Sequence, residues 1–226
     1  MSDYHIRLYE DSDYKVVREL FARGMNEHSH EAFRHAISVP RNWLFMLVMF
    51  LVSFWITGSI SMPLLVLITE LIFLWICSTY IYSSYVDQCL SDDMLDIQKY
   101  YLQRDGCCFW VAESGGIVVG TVAAVPSSNP RVEKNTELKR LTVARSHRGK
   151  GIAKALCRTV IDFASQRGCE AVVLETSSAQ IDAQKLYGKM GFFRTHIVHL
   201  TCCTGRVLDF IDLFYRYDIP TNRGNI

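Results

Sequence analysis

The sequence predicts an α/β protein in which helices flank a mixed central β-sheet and a hydrophobic hairpin interrupts the fold. Segments with the alternating pattern of strands take turns with segments of helical periodicity, in the order βα, insert, αββ, βαβαβ. Between the two flanks, residues 43–82 form an apolar run in which Glu70 is the only Asp, Glu, Lys or Arg. One α/β domain with an apolar insert explains both observations.

The composition excludes several classes of protein. The 226 residues suffice for one domain and a modest additional element. The 24 Lys and Arg nearly balance 23 Asp and Glu, which leaves no basic excess of the kind typical of nucleic-acid binding. The eight cysteines have no C-x-x-C spacing, so we expect no metal, and free thiols fit a cytosol-facing domain.

The N-terminal part of the domain is predicted over residues 1–42. Residues 5–9 alternate as a strand does, and the acidic stretch 10–13 is typical of a helix start. Apolar residues then recur at helical spacing at Val16, Val17, Leu20 and Phe21.

Residues 43–82 are predicted to form a membrane hairpin. Gly58 and Pro63 favour a turn between an arm at 43–56 and an arm at 64–82. The second arm approaches the roughly 20 residues that cross a bilayer core, and aromatic residues cluster at the ends of the run. A buried helical hairpin in a soluble core is the alternative, although almost no polar face remains for contact with water.

An ionised Glu70 carboxylate inside such a hairpin would cost free energy, because the apolar surroundings do not solvate its charge. We expect it to be protonated, or hydrogen-bonded to Ser53 or Thr57 across the hairpin.

The main part of the domain is predicted over residues 83–200, and a tail over 201–226. The main part contains helices at 92–102, 152–167 and 180–190 and strands at 108–112, 117–125, 137–143, 171–175 and 192–200, with a polar loop at 126–135. For the tail, two alternatives stay open: a helix that closes the sheet, or a segment lying against the membrane face. Cys202 and Cys203 precede it as candidates for acylation.

The strongest chemical signal lies at residues 143–153, V-A-R-S-H-R-G-K-G-I-A. A strand ends there, a basic loop follows, and a helix begins. Unpaired backbone N–H groups and the dipole at a helix start favour an anion, and Gly149 and Gly151 allow the backbone to approach it closely. The segment therefore predicts a phosphate or pyrophosphate site.

The same residues resemble the R/Q-x-x-G-x-G/A signature of GNAT acetyltransferases. Residues 186–192 (L-Y-G-K-M-G-F) are similar to that family's L-Y-x-x-x-G-F, and residues 118–122 to its glycine-bearing central strand. K-R-L-T-V, G-I-A-K-A-L, V-V-L-E-T-S and the apolar hairpin resemble the camello branch, which includes the cysteine-S-conjugate and aspartate N-acetyltransferases. Members of that branch are typically membrane proteins of the endoplasmic reticulum and Golgi region.

The resemblance implies that acetyl-CoA is the co-substrate. Its pyrophosphate would be held by Arg148, Gly149, Lys150, Gly151, Ile152 and Ala153, and its pantetheine arm by the strand residues Leu141, Thr142 and Val143. Tyr187 matches the tyrosine that protonates the departing thiolate. Glu137 and Glu175 are the candidates for the general base, and each also has a non-catalytic interpretation.

Arg140 is the candidate for binding the carboxylate of an amino-acid-like acceptor, with a structural arginine as the alternative. His196 and His199 end the last predicted strand, where solvated histidines are common. The leading hypothesis for the reaction is acetylation of the α-amine of a small acceptor such as a cysteine S-conjugate. Nε-acetylation of protein lysines is one alternative, and a non-catalytic membrane scaffold is another.

The topology follows from the insert. If one sheet includes strands from both flanks, the flanks lie on the same side of the membrane, which a hairpin or re-entrant loop achieves. We expect the catalytic domain to face the cytosol, with membrane lipid as a partner and no nucleic acid.

Overall fold

A computed structural model describes residues 4–127 and 134–220. Seven strands form one sheet in the order β1-β2-β3-β4-β5-β7-β6. The strands are β1 His5–Leu8, β2 Cys108–Ser114, β3 Ile117–Pro126, β4 Asn135–Val143, β5 Ala171–Ser177, β6 Phe193–His199 and β7 Ile211–Asp218. Strands β4 and β5 pair in parallel and every other neighbouring pair is antiparallel, so the predicted mixed sheet is confirmed.

Seven α-helices accompany the sheet in the part of the chain described. They are α1 Tyr14–Asn26, α2 Ser29–Ser38, α3 Pro40–Thr57, α4 Ser61–Ser91, α5 Ile152–Gln166, α6 Ile181–Met190 and α7 Cys203–Leu208. Most of the predicted 126–135 loop, residues 128–133, lies outside the described residues.

Each face of the sheet buries its own core because successive strand residues point to opposite faces. On β2, Trp110 and Ala112 join a core that contains Leu156 and Val160 of α5. The alternate residues Phe109 and Val111 join a second core with α1 and the end of α4. We call these the α5 face and the α1 face.

The hairpin consists of α3 and α4, which pack against each other and expose most of their apolar side chains. The chain turns at Gly58, whose φ of 61° is left-handed. The 18 residues of α3 span roughly 27 Å, and the 31 residues of α4 extend further, past the predicted boundary at residue 82. The end of α4 enters the core of the α1 face through Val86 and Cys89.

The structure differs from what the sequence suggested at three places. The tail is not a closing helix, because residues 211–218 form β7 between β5 and β6, so β6 is an edge strand and part of the tail belongs to the sheet. The predicted 92–102 helix is reduced to turns and a short π-helical segment, Gln98–Leu102. Of the two alternatives for Glu70, the bond to Ser53 or Thr57 is absent, because those two hydroxyls donate to the carbonyls of Phe50 and Ser53.

Candidate active site

The centre of the sheet opens between β4 and β5. Their register runs from Asn135 opposite Ala171 to Leu138 opposite Leu174, and no later residue of β4 pairs with β5. The backbone of β4 from Lys139 to Val143 therefore has no partner on its β5 side, since β3 occupies the other side. A parallel pair that separates in this way leaves a slot into which an extended ligand chain can insert against free backbone groups.

A β-bulge lies just beyond the last β4–β5 pair. Thr121 of β3 pairs with Thr142 and Ala123 pairs with Lys139, so Arg140 and Leu141 together oppose one β3 residue. Arg140 has a φ of 55°, a left-handed conformation that is unusual for a non-glycine residue. The hydroxyl of Thr121 donates to the Arg140 carbonyl at 2.8 Å. Leu141 and Val143 pack toward the α5 face.

The glycine-bearing loop joins β4 to α5, as predicted. Helix α5 has no side-chain cap, and Gly151 precedes its first residue with a φ of 83°. Gly149 has a φ of 78°, and a Cβ placed there would meet no atom within 4 Å, so the backbone faces open space. Exposed N–H groups at the start of α5 can therefore receive an anion.

A pocket of about 430 Å³ lies between this loop and the end of α1. Its lining includes Arg23, Gly24, Val143, Arg145 and Arg148. Arg148 also holds the loop in place through contacts with Glu27 and Val143.

The guanidinium of Arg148 pairs with Glu27 at 2.8 Å and donates to the Val143 carbonyl at 3.2 Å. This Arg148 position anchors the loop to α1 as well as adding positive charge to it. Lys150 is exposed, and the side chain of Ile152 is buried in the core, so Ile152 offers a ligand only its backbone.

Tyr187 of α6 lies on the α5 face. Its side chain is buried, with ring centroids 5.6 Å from Phe192 and 6.0 Å from Tyr215. No described residue forms a hydrogen bond with its hydroxyl. Burial, with a smaller contribution from the Cys157 thiol, raises the pKa of Tyr187 above its ordinary value. The hydroxyl is therefore protonated at neutral pH and can donate a proton.

Acidic residues gather on the α1 face beside the opening. Partial desolvation and the negative charge of Glu137 raise the pKa of Glu175. Desolvation and Glu175 likewise raise the pKa of Asp212, on β7, to about 6. Lys139 lies 3.3 Å from Glu137. A carboxylate with a pKa near 6 is ionised at neutral pH and can accept a proton.

Comparisons with known proteins agree with this architecture. Residues 73–192 match the model of the acetyltransferase (GNAT) family. "N-acetyltransferase 8" from Mus musculus is 45% identical over 196 residues, covering 86% of each chain. "N-acetyltransferase 8" from Rattus norvegicus is 41% identical over 223 residues, covering 98% of this chain and 100% of the relative.

The chain belongs to the N-acetyltransferase 8 family of GNAT acetyltransferases. It is an N-acetyltransferase. The fold is similar to that of a GNAT acetyltransferase from Staphylococcus aureus, with a TM-score of 0.57, 17% identity, and coverage of 96% of this chain and 99% of that one. A ribosomal-protein-alanine N-acetyltransferase from Brucella melitensis gives a TM-score of 0.55 at 17% identity, covering 95% and 99%.

In this N-acetyltransferase 8 relative, Arg140 does not lie free to bind a substrate. Its Nε and Nη2 donate to the Asp93 carboxylate at 2.8 and 2.7 Å, and Nη1 donates to the Tyr85 hydroxyl at 2.8 Å. The side chains of Arg140 and Asp93 are 9% and 3% exposed. Because all three guanidinium nitrogens donate to protein groups, these contacts favour the structural alternative for Arg140.

The other predicted residues fall into two groups around the opening. Leu141, Thr142 and Val143 line its β4 side, and Glu137 and Glu175 flank it on the α1 face. Asp212 was not among the candidates, because its place beside β5 depends on the insertion of β7. His196 stacks on Phe214 at 4.2 Å, and His199 lies at the end of the edge strand. Residues 4–127 and 134–220 contain no group of His, Cys, Asp and Glu that could hold a metal ion.

Proposed function

We propose that this protein transfers an acetyl group directly from acetyl-CoA to the α-amine of a small amino-acid-like acceptor such as a cysteine S-conjugate. The observation that carries the proposal is the β4–β5 opening. It lies between an uncapped helix start on one side and a group of carboxylates on the other, with a protonated tyrosine on the α5 face.

The residues around the opening fit acetyl-CoA. Gly149, Gly151 and the first N–H groups of α5 would receive the pyrophosphate, with positive charge from Arg148 and Lys150 and with Ala153 in the first turn of α5. In the segment of Leu141, Thr142 and Val143, the backbone groups that face the open β5 side would bind the amides of the pantetheine arm. Acetyl-CoA supplies an electrophilic thioester carbonyl and a thiolate leaving group.

Proton handling divides between the two faces of the sheet. A protonated amine is not a nucleophile, so the acceptor must lose a proton before it attacks. Glu175, Asp212 and Glu137 are the candidates for accepting it, directly or through water, and Asp212 has a pKa of about 6 that suits a base at neutral pH. Tyr187 would protonate the departing thiolate.

Lys139, beside the candidate bases, is our candidate for binding the carboxylate of the acceptor. It lies two residues from Glu137 on β4, so both side chains point to the α1 face, and its side chain is 35% exposed. Its positive charge also acts on Glu175. Lys139→Gln should raise the KM for an amino-acid acceptor about 10-fold, the effect of one lost charged contact, and leave the KM for acetyl-CoA nearly unchanged.

We also propose that α3 and α4 insert into the membrane of the endoplasmic reticulum or Golgi, with the catalytic domain in the cytosol. Both helices are long and apolar enough to cross a membrane. Only 6% of the most apolar 18-residue stretch of α3, and 17% of that of α4, is buried inside the protein. Trp55, 85% exposed, lies near the tip. The protein should resist extraction from membranes by alkaline carbonate, and cytosol-side protease should degrade the catalytic domain.

The experiment that tests the reaction is turnover by the full-length protein in detergent, with thiol release followed for amino acids, cysteine S-conjugates and lysine peptides. The proposal predicts the highest kcat/KM for a cysteine S-conjugate or another small α-amine. Turnover confined to lysine peptides would identify a protein lysine acetyltransferase instead. Acetyl-CoA binding without turnover of any acceptor would favour the scaffold hypothesis.

A further inference from the structure

Arg140 and its partners form a lock on the β4 bulge. Arg140 reaches Asp93 with two guanidinium nitrogens and Tyr85 with the third, and Tyr101 also donates its hydroxyl to Asp93. The Arg140 guanidinium lies 5.3 Å from the centre of the Phe21 ring. We call Arg140, Asp93, Tyr85 and Tyr101 the bulge lock.

The lock acts on backbone that has no other partner on its β5 side. The bulge follows Leu138, the last β4 residue paired with β5, and precedes Thr142 and Val143. On the β3 side, the Arg140 carbonyl is fixed by the Thr121 hydroxyl. The side chain of Arg140 holds the bulge from the α1 face through hydrogen bonds, beside the packing of α1 on β4, and we expect the direction of the following amides to depend on it.

The left-handed backbone of Arg140 supports this interpretation. Glycine adopts a φ near 55° without strain, whereas an arginine does so only when its surroundings hold it there. Here the surroundings are a buried bidentate ion pair, the most geometrically demanding contact that arginine makes. A lysine would keep the positive charge but could not form the two parallel hydrogen bonds to one carboxylate.

The lock also joins the hairpin to the catalytic centre. Tyr85 lies in the last two turns of α4, and Asp93 follows shortly after that helix ends at Ser91. The same helix therefore passes through the apolar hairpin and then supplies or positions two members of the lock.

We propose that Arg140 is a positioning residue for acetyl transfer: through Asp93 and Tyr85, the base of the hairpin fixes the β4 bulge so that its free amides polarise the thioester carbonyl. This inference rests on the proposed acetyl-CoA site. It assigns the hairpin a part in catalysis in addition to membrane attachment.

The test compares Arg140→Lys and Tyr85→Phe with a matched control, Arg7→Lys. Arg7 also forms a two-pronged pair, with Asp13 at 2.6 and 2.9 Å, and contacts Glu113 at 2.8 Å, but it lies on β1 at the far edge of the sheet. Arg7 is half-buried, so Arg7→Lys should reproduce the loss of a two-pronged arginine–carboxylate contact without touching the bulge.

The measurements are kcat, the KM of the acceptor, and the dissociation constants of acetyl-CoA and CoA. Arg140→Lys should lower kcat about 10- to 100-fold, approaching the effect of losing an oxyanion donor, with the KM of the acceptor within about two-fold of wild type. It should weaken acetyl-CoA more than CoA, because only acetyl-CoA presents the carbonyl. Tyr85→Phe should lower kcat less, and Arg7→Lys should lower the melting temperature without lowering kcat.

Equal kcat for Arg140→Lys and Arg7→Lys, per folded molecule, would overturn the inference. If Arg140→Lys does not fold, Tyr85→Phe decides, since it removes one hydroxyl and retains the ring; a wild-type kcat in this variant would then overturn it. Failure of the wild-type protein to bind or use acetyl-CoA would refute the proposed function instead. The two failures are thus distinguishable.

Discussion

Gly24 of α1 is the point at which the smallest substitution should disturb the proposed acetyl-CoA site. A Cβ at Gly24 would lie 2.5 Å from Cγ2 of Thr142, against about 3.5–4.0 Å for ordinary carbon contact. Thr142 is buried and β-branched, so it cannot rotate away without cost. Gly24→Ala must therefore displace α1 from β4 by about 1 Å.

The cost of that displacement can be estimated. Overpacking a well-packed site costs about 1–3 kcal/mol, and replacing a helical glycine with alanine recovers about 1 kcal/mol. The net change is a loss of about 0–2 kcal/mol in the free energy of unfolding. Because Gly24 and Arg23 line the pocket next to the α5 loop, the same displacement should raise the KM for acetyl-CoA about 3- to 10-fold.

Gly188→Ala is the matched control. Gly188 also lies within a helix, α6, and a Cβ there would meet no atom within 4 Å. Gly188→Ala should raise the free energy of unfolding by about 1 kcal/mol and keep the wild-type KM for acetyl-CoA. Thermal unfolding in detergent and acetyl-CoA titration of turnover measure both quantities. If Gly24→Ala matches Gly188→Ala in melting temperature and KM, the close approach of α1 to Thr142 does not shape the site.

Three further predictions concern single groups. Tyr187→Phe should lower kcat about 10- to 100-fold while leaving acetyl-CoA binding intact, and an unchanged kcat would exclude Tyr187 as the acid. The raised pKa of Asp212, about 6, means that its ionisation destabilises the fold: stability from this group is complete below about pH 4 and lost as pH rises through 6. Asp212→Asn should therefore raise the free energy of unfolding by about 1–2 kcal/mol at pH 8, after allowance for solvent screening. If Asp212 is the base, the substitution should also lower kcat/KM and remove the inflection near pH 6 from its acidic limb. Denaturant titration at pH 5 and 8 measures the stability effect, and a pH-independent difference would contradict it. Glu70 has both carboxyl oxygens enclosed without a partner among the described residues, so Glu70→Leu should raise the melting temperature in detergent without changing kcat, and a lower melting temperature would reveal a partner.

The sequence predicts those features that depend on neighbouring residues. The loop at 143–153 could be recognised because glycines, basic residues and a helix start follow one another along the chain, and the structure places Gly149 and Gly151 in left-handed conformations there. The hairpin could be recognised because its apolar character is continuous, with the turn at Gly58.

Features formed by distant residues could not be predicted in this way. Arg140 and Asp93 are 47 positions apart and come together only when β4 packs against the base of α4. Residues 211–218 alternate in polarity as a strand does, but their placement between β5 and β6 depends on which strands have free edges. Asp212 was therefore missed as a candidate base, and the sequence left two roles open for Arg140, of which the contacts of its side chain favour the structural one.

The most direct test of the central claim follows the acetyl group itself. Full-length protein in detergent is supplied with isotope-labelled acetyl-CoA and a cysteine S-conjugate, and the labelled N-acetyl product is quantified by mass spectrometry for the wild type, Gly151→Glu and Gly188→Ala. We predict product from the wild type and from Gly188→Ala, and a loss of about 100-fold or more in Gly151→Glu, which places a carboxylate and a strained φ at the proposed pyrophosphate site. Equal product from Gly151→Glu and the wild type would contradict it.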